Sequence, residues 1–344
     1  MPVSRARRHR PNLKRCRLQA GVRFTVPGRV CLVGEHCDWA GGAAIVAPLD
    51  LSVHVSATAA ETLSASAFHN GREWAWTAGE DPGPLRFVPA VAAELGVETG
   101  AVRIDGDLPA GRGFSSSAAV CVGIARALAN LHGRSLTADE AAGVAYNAEH
   151  GRVGINCGRL DPLACAHGTP LFLQFSGEAY EMEAIPAHFD LAVGSFRVPR
   201  DTPGILAELG RYHRGDVPLR DWDGVARVGA VRGAIEGFGA QAIHARDALF
   251  AGDLRALGGA MDTCQEIYEE ELMSALPMLR APGLVKAVRA LRAAGALGAK
   301  FSGAGGEGSV IGLYKARDPR VIDGVAALDR LGLDAFGSEV FFAV

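Results

Sequence analysis

The chain has 344 residues, of which 49% are hydrophobic and 21% charged, with a formal net charge of −3. That length suits one large or two ordinary domains with real cores, and no uninterrupted apolar run of 18 residues is present to cross a bilayer. The seven cysteines (Cys16, Cys31, Cys37, Cys121, Cys157, Cys165, Cys264) are scattered without a C-x-x-C pair; a disulfide framework and a zinc site are both disfavoured, and a cytoplasmic location is expected.

Residues 1–20 hold seven Lys/Arg and no acidic residue, with no apolar stretch behind them to make a secretory signal, and read as a basic disordered tail. Removing that +7 leaves −10 on the rest, a balance that predicts no nucleic-acid partner; no membrane partner is expected either. Residues 21–57 are strand-rich, with Leu49, Leu51, Val53 and Val55 alternating with Asp50, Ser52 and His54. Within "VPGRVCLVGEHCDWAGG" (26–42), Arg29, Glu35, His36 and Asp38 stand among glycines at the ends of strand-like segments. Such a set suits a polyhydroxy ligand, against the plainer alternative of charges solvated on a turn.

A helix at about 86–95 and a strand "AVRID" lead into "DLPAGRGFSSSAAV" (107–120). Pro109 stops any strand, Gly111 and Gly113 permit backbone conformations closed to other residues, and a helix is predicted from Ser116 to Leu131. Unpaired N–H groups at that helix start, with the hydroxyls of Ser115, Ser116 and Ser117, suit a polyphosphate or a hard cation such as Mg²⁺. Taken alone, the stretch reads equally well as a glycine turn with Ser115 capping the helix. It is not the G-x-S-x-G of a serine hydrolase, since its fifth residue is Ser117.

Thr137 and Glu140 form a capping box for a helix expected to run to Glu149 and stop near Gly151. "AEHGRVGINCGRLDPLACAHG" (148–168) then presents Asp161 near the start of another helix. Glu149 and Asp161 could be caps or surface charges; as a functional pair, one would hold Mg²⁺ and the other take a proton. Strands return in "PLFLQF" and "FDLAVGSF", and a domain boundary is placed near 186, giving domains 21–186 and 187–344. From about residue 202 the pattern is helical for nearly a hundred residues, followed by strand "GAKFS", a glycine cluster, strand "SVIGLY", a helix and a final strand "EVFFAV". The cluster contains G-x-G-x-x-G at Gly303, Gly305 and Gly308, but a strand follows it rather than a helix, so a dinucleotide fold is not expected. Nor is there a G-x-x-x-x-G-K-[ST] phosphate loop. Strands and helices do not alternate regularly, and the class is α+β.

The three glycine-bearing segments, in this order and spacing, resemble the signature motifs of the GHMP kinases. "PGRV…GEH…D" followed by an aromatic and glycines, together with "AEHGRVGINCGRLD", is closest to the galactokinase branch, while "GALGAKFSGAGGEGS" is similar to both galactokinases and mevalonate kinases. The resemblance implies a two-domain fold, with an N-terminal domain like domain 2 of ribosomal protein S5, a ferredoxin-like C-terminal domain and a cleft between them. It implies that Pro109, Gly111, Gly113, Ser115, Ser116, Ser117 and Ala118 bind the ATP phosphates, joined by Gly303, Ala304, Gly305 and Gly306. Ser117 and Glu149 would hold Mg²⁺, Asp161 would be the base, and Arg29 would stabilise developing charge. Glu35, His36, Asp38, Gly158 and Asp161 would bind the acceptor.

The chain departs from the galactokinase pattern at Cys31 (Asn there), Cys37 (Thr), Trp39 (Tyr), Pro162 (Gln) and Glu307, which interrupts the last glycine motif. The expected activity is therefore ATP-dependent phosphorylation of a sugar or sugar-like hydroxyl, with the anomeric position favoured. The alternatives are a mevalonate-type, sugar-acid or cyclitol kinase, and a sensor that binds sugar and ATP without turnover.

Overall fold

Alternating apolar residues build the first sheet, beginning with β1 (Arg23–Val33) and the 17-residue β2 (Gly42–Thr58), which pair antiparallel. The computed structural model describes residues 22–69, 71–197, 201–217 and 222–343; the basic tail lies outside them. Between β1 and β2 a single helical turn, α1 (Cys37–Ala40), reverses the chain. β3 (Leu63–His69) and β4 (Arg72–Thr77) follow as a hairpin, then α2 (Phe87–Leu95) and β5 (Gly100–Gly106), which lies parallel to β3. β2 also pairs with β5 near its end and with β6 (Leu171–Ser176) at its start, and β7 (Ala179–Ala184) closes that edge.

α3 (Ser116–Leu131) and α5 (Leu160–His167) pack on this sheet, and α4 (Ala138–Tyr146) packs on those two helices. α3 begins and ends where its sequence predicts, because the apolar run from Ala118 to Leu131 is buried almost throughout. The Thr137–Glu140 capping box is formed in both directions. The α-helical turns after it stop at Tyr146, earlier than expected, and the chain widens into a π-turn over Asn147–Arg152 that carries Glu149 inward. Such widened turns insert one extra residue per turn and re-aim a side chain.

The second sheet starts with β8 (Ala187–Ser195). After it come α6 (Thr202–Arg214), α7 (Trp222–Phe250), α8 (Leu254–Ile267), α9 (Met273–Ala275) and α10 (Pro282–Ala293), then β9 (Gly298–Ser302), β10 (Ser309–Lys315), α11 (Arg320–Arg330) and β11 (Asp334–Phe342). Its strand order is β11-β8-β10-β9, all antiparallel. With helices between β8 and β9 and between β10 and β11, this is the βαββαβ arrangement of a ferredoxin-like unit. In α7 the buried residues Val231, Ala234, Ile235, Phe238, Ala242 and Ala245 recur at helical spacing and pack the helix against β1 and β2 of the first sheet. Apolar packing therefore joins the two sheets. Among the described residues, no helix is long and apolar enough to cross a membrane.

Candidate functional site

A cleft of about 630 Å³ opens between the sheets, within the range of small-molecule sites. Its floor comes from β1. The pairing with β2 slips between Pro27 and Arg29 and again between Cys31 and Val33, and such bulges turn a side chain out of its regular alternation. Arg29 lies mid-strand rather than at a strand end, buried to 6% exposure. Its Nε and Nη2 both donate to Asp161 Oδ1, at 2.7 and 2.5 Å, and its Nη1 donates to the Gly113 carbonyl at 2.9 Å. One guanidinium thus joins the start of α5 to the glycine loop before α3. Because both carboxylate contacts fall on Oδ1, Arg29 leaves Asp161 Oδ2 free.

The glycine loop lies directly against β1. A Cβ on Gly28 would come within 2.4 Å of Leu108 and 2.9 Å of the Phe114 carbonyl, and Arg29 N–H donates to that same carbonyl. Gly111 and Gly113 have φ of +70° and +87°, as the loop reading required. Ser115 precedes α3 but makes no side-chain cap; it sits at φ +59° with Oγ buried and without a partner. The side chain therefore does not cap α3, and a buried hydroxyl without a partner costs free energy unless something satisfies it. Ser116 Oγ accepts from Gly111 N–H, and Ser117 lies beside Glu149.

Gly111, Gly113, Ser115, Ser116 and Ser117 line the cleft, whereas Pro109 and Ala118 do not. Gly303 and Ala304, between β9 and β10, also line it. Gly305 and Gly306 turn away onto Tyr268: a Cβ on Gly305 would meet that ring at 2.8 Å, and Gly306 N–H donates to its hydroxyl. Glu307, the interruption in the motif, accepts from Gly283 N–H and fixes the start of α10.

Glu35, His36, Asp38 and Trp39 line the far side of the cleft with Gly158. His36 takes a left-handed backbone (φ +70°) that aims the turn inward. The carboxylate of Asp38 lies where a Cβ on Gly158 would be, 1.7 Å from Oδ2, so a larger residue there would have to displace the carboxylate or the loop. Burial, with the charge of Asp161 adding to it, pushes Asp38 up to about 7, while Leu160 N–H and Arg29 pull it down. Glu149 is likewise pushed up to about 7, first by burial, with the Ser117 hydroxyl and Arg86 opposing.

Sequence reasoning missed Lys300. It is fully buried in β9 and pairs with Glu35 Oε1 and with the Phe301 carbonyl, leaving Glu35 Oε2 buried and unpartnered. Its only mark in the sequence is that it is the one charge in the strand GAKFS, which names no partner. Also missed were Thr202, Pro203 and Leu206 of α6, which reach the cleft from the second half, and the apolar wall of Phe68, Trp74, Leu85 and Phe87 beside Arg86. His213 on α6 meets Trp39 edge-on at 5.5 Å. Among the described residues, no three His, Cys, Asp or Glu side chains gather into a metal-binding group.

Three family models match this chain: the GHMP kinases N terminal domain over residues 84–169, the GHMP kinases C terminal model over 245–329, and the galactokinase galactose-binding signature over 17–59. A galactokinase of Pyrococcus furiosus is 28% identical over 314 residues, covering 83% of this chain and 87% of its own length. A mevalonate kinase of Aeropyrum pernix is 26% identical over 312 residues, with 87% and 90% covered. Among solved structures, Lactococcus lactis galactokinase complexed with galactose superposes with a TM-score of 0.75 at 19% identity, covering 94% of each chain. Mevalonate kinase of L. major in complex with R-mevalonate gives 0.73 at 20% identity, covering 95% of this chain and 98% of that one. At those identities the two structures speak for the fold alone.

Proposed function

The chain belongs to the GHMP kinases and is an ATP-dependent sugar kinase, and from that premise we propose that it moves the γ-phosphoryl group of ATP to the anomeric hydroxyl of a galactose-like sugar. The observation that carries this reading is the Arg29–Asp161 pair at the cleft floor, tied through the Gly113 carbonyl to the loop before α3. Asp161 Oδ2 takes the proton of the acceptor hydroxyl as its oxygen bonds to the γ-phosphorus and the bond to the departing ADP breaks. Arg29 lies where negative charge develops. Phosphoryl transfer has a loose transition state, so alignment and fixed charge supply most of the acceleration.

N–H groups around Ser115–Ser117 and the orphaned Ser115 Oγ suit phosphate oxygens. The donor set around Glu149 suits Mg²⁺: one carboxylate and the Ser117 hydroxyl leave most of the coordination to phosphate oxygens and water, which is how this ion is usually held. Glu149 and Ser117 would hold it, and when bound it would neutralise charge on the transferring phosphates. Glu35, His36 and Asp38 orient the sugar hydroxyls, with Glu35 Oε2 the acceptor left open for one of them. The galactose-binding signature over 17–59 supports a sugar, while the Aeropyrum relative keeps mevalonate as the second reading.

ADP release measured across galactose, other aldoses, N-acetylhexosamines, uronic acids, cyclitols and mevalonate tests both readings. Turnover on one sugar is expected, falling by about 10²- to 10⁴-fold in Asp161→Asn while acceptor binding persists. Near-normal turnover in that variant overturns the assigned base, turnover on mevalonate alone selects the second reading, and ATP binding with silence across the panel points to a sensor.

A further inference from the structure

The charges lining the cleft are poorly matched to a polyphosphate. Five carboxyl groups line it, those of Glu35, Asp38, Asp105, Glu149 and Asp161, of which burial pushes Asp38 and Glu149 towards their neutral forms, against two arginines, Arg29 and Arg86. Lys300 pairs with Glu35, Arg23 with Asp105, and Arg29 is spent on Asp161 and the Gly113 carbonyl. A nucleoside triphosphate brings three to four further negative charges, more than a single Mg²⁺ offsets, so a cation that the protein has not already committed is matched to it.

Arg86 meets that need. It is exposed, and among the described residues its guanidinium makes neither a hydrogen bond nor an ion pair; its one close contact is the face of Phe87, 5.0 Å away. It immediately precedes α2, which packs against the Asn147–Arg152 turn that carries Glu149 and against α3, the helix that follows the glycine loop, so it belongs to the phosphate-loop side of the cleft. The helix dipole gains nothing from a cation there, because Arg86 precedes the first residue of α2, where negative charge is favoured. We propose that Arg86 is a nucleotide-binding residue whose guanidinium pairs with the phosphates of the triphosphate. This inference rests on the kinase reading above.

Calorimetric titration of the full chain with adenosine, AMP, ADP and ATP, at fixed Mg²⁺ and salt and without acceptor, tests it in wild type, Arg86→Gln and Arg86→Lys. A charge-assisted contact at a cleft mouth predicts about tenfold weaker ATP and ADP binding in Arg86→Gln, adenosine binding within about twofold of wild type, and recovery of most of the loss in Arg86→Lys. Raising the salt concentration should narrow the gap between wild type and Arg86→Gln. Unchanged ATP affinity overturns the inference, as does an equal loss for adenosine and ATP, which would mean that Arg86 only supports the apolar wall. Wild-type protein that binds no ATP overturns the kinase reading itself, an outcome distinct from a flat response to the Arg86 substitution.

Discussion

Asp38 folds into a place that favours its protonated form, since burial and the charge of Asp161 together lift it from an ordinary 3.8 to about 7. Between those values the folded chain binds more protons than the unfolded chain, so this group makes stability fall as pH rises from about 4 to 7, then level off. Replacing it with Asn removes that slope. Urea unfolding of wild type and Asp38→Asn at pH 5 and pH 8 should show the wild type losing roughly 1–3 kcal/mol more than the variant between the two, a span kept below the full shift because the side chain retains some solvent. Equal losses would show that Asp38 titrates normally. Arg29, Asp38, Glu149 and Asp161 could all be picked from the sequence because each sits in a short glycine-rich segment where a charge has few structural uses. Lys300 and Arg86 could not. The partner of Lys300 lies 265 positions away, and the Arg86 guanidinium has no hydrogen bond or ion pair among the described residues.

Elements with strong local signals were legible. The Thr137–Glu140 box, the Ser116 start of α3 and the alternation along β2 depend on neighbours within a few residues, and the structure places each where its pattern lies. The π-turn at Asn147–Arg152 had no such signal, because it depends on drawing Glu149 inward to meet Ser117. Nor did the turning away of Gly305 and Gly306, which follows from the Tyr268 hydroxyl bridging Gly306 N–H and the Leu279 carbonyl. The loop from Cys157 to Leu160 is shaped by one missing methyl group. Gly158→Ala would put carbon onto the Asp38 carboxylate, so the acceptor KM should rise by about tenfold or more while ATP affinity stays near wild type. Steady-state kinetics with each substrate varied checks this, and an unchanged acceptor KM would mean that the loop relaxes without moving Asp38.

Across the whole molecule, β9 is the piece that completes the site from the other side. Its Ser302 Oγ accepts from Cys31 N–H at 2.9 Å, and Lys300 meets Glu35, so strand contacts of the second sheet end on the first. Both partners of the ion pair are almost fully buried, at 0% and 1% side-chain exposure. Removing only the lysine leaves a carboxylate in a dry place, and Lys300→Met should cost about 3–5 kcal/mol by thermal or urea unfolding, with Glu35→Gln in the same chain recovering part of the loss. A single Lys300→Met variant as stable as wild type would show that Glu35 finds another partner. The sequence motifs foretold that the two halves share a cleft; they were silent on the α7 packing and the ion pair that hold the halves together, because both depend on contacts between distant segments.

That arrangement also has a consequence for the order of synthesis. A growing chain can assemble the first sheet once Ala184 has emerged, but Lys300 is translated long afterwards. Until then the early half carries Glu35 without its counter-charge and without β9 against β1, so the Glu35 side of the cleft is finished only when the second half arrives. A chain broken off between these points would lack the buried partner of Glu35.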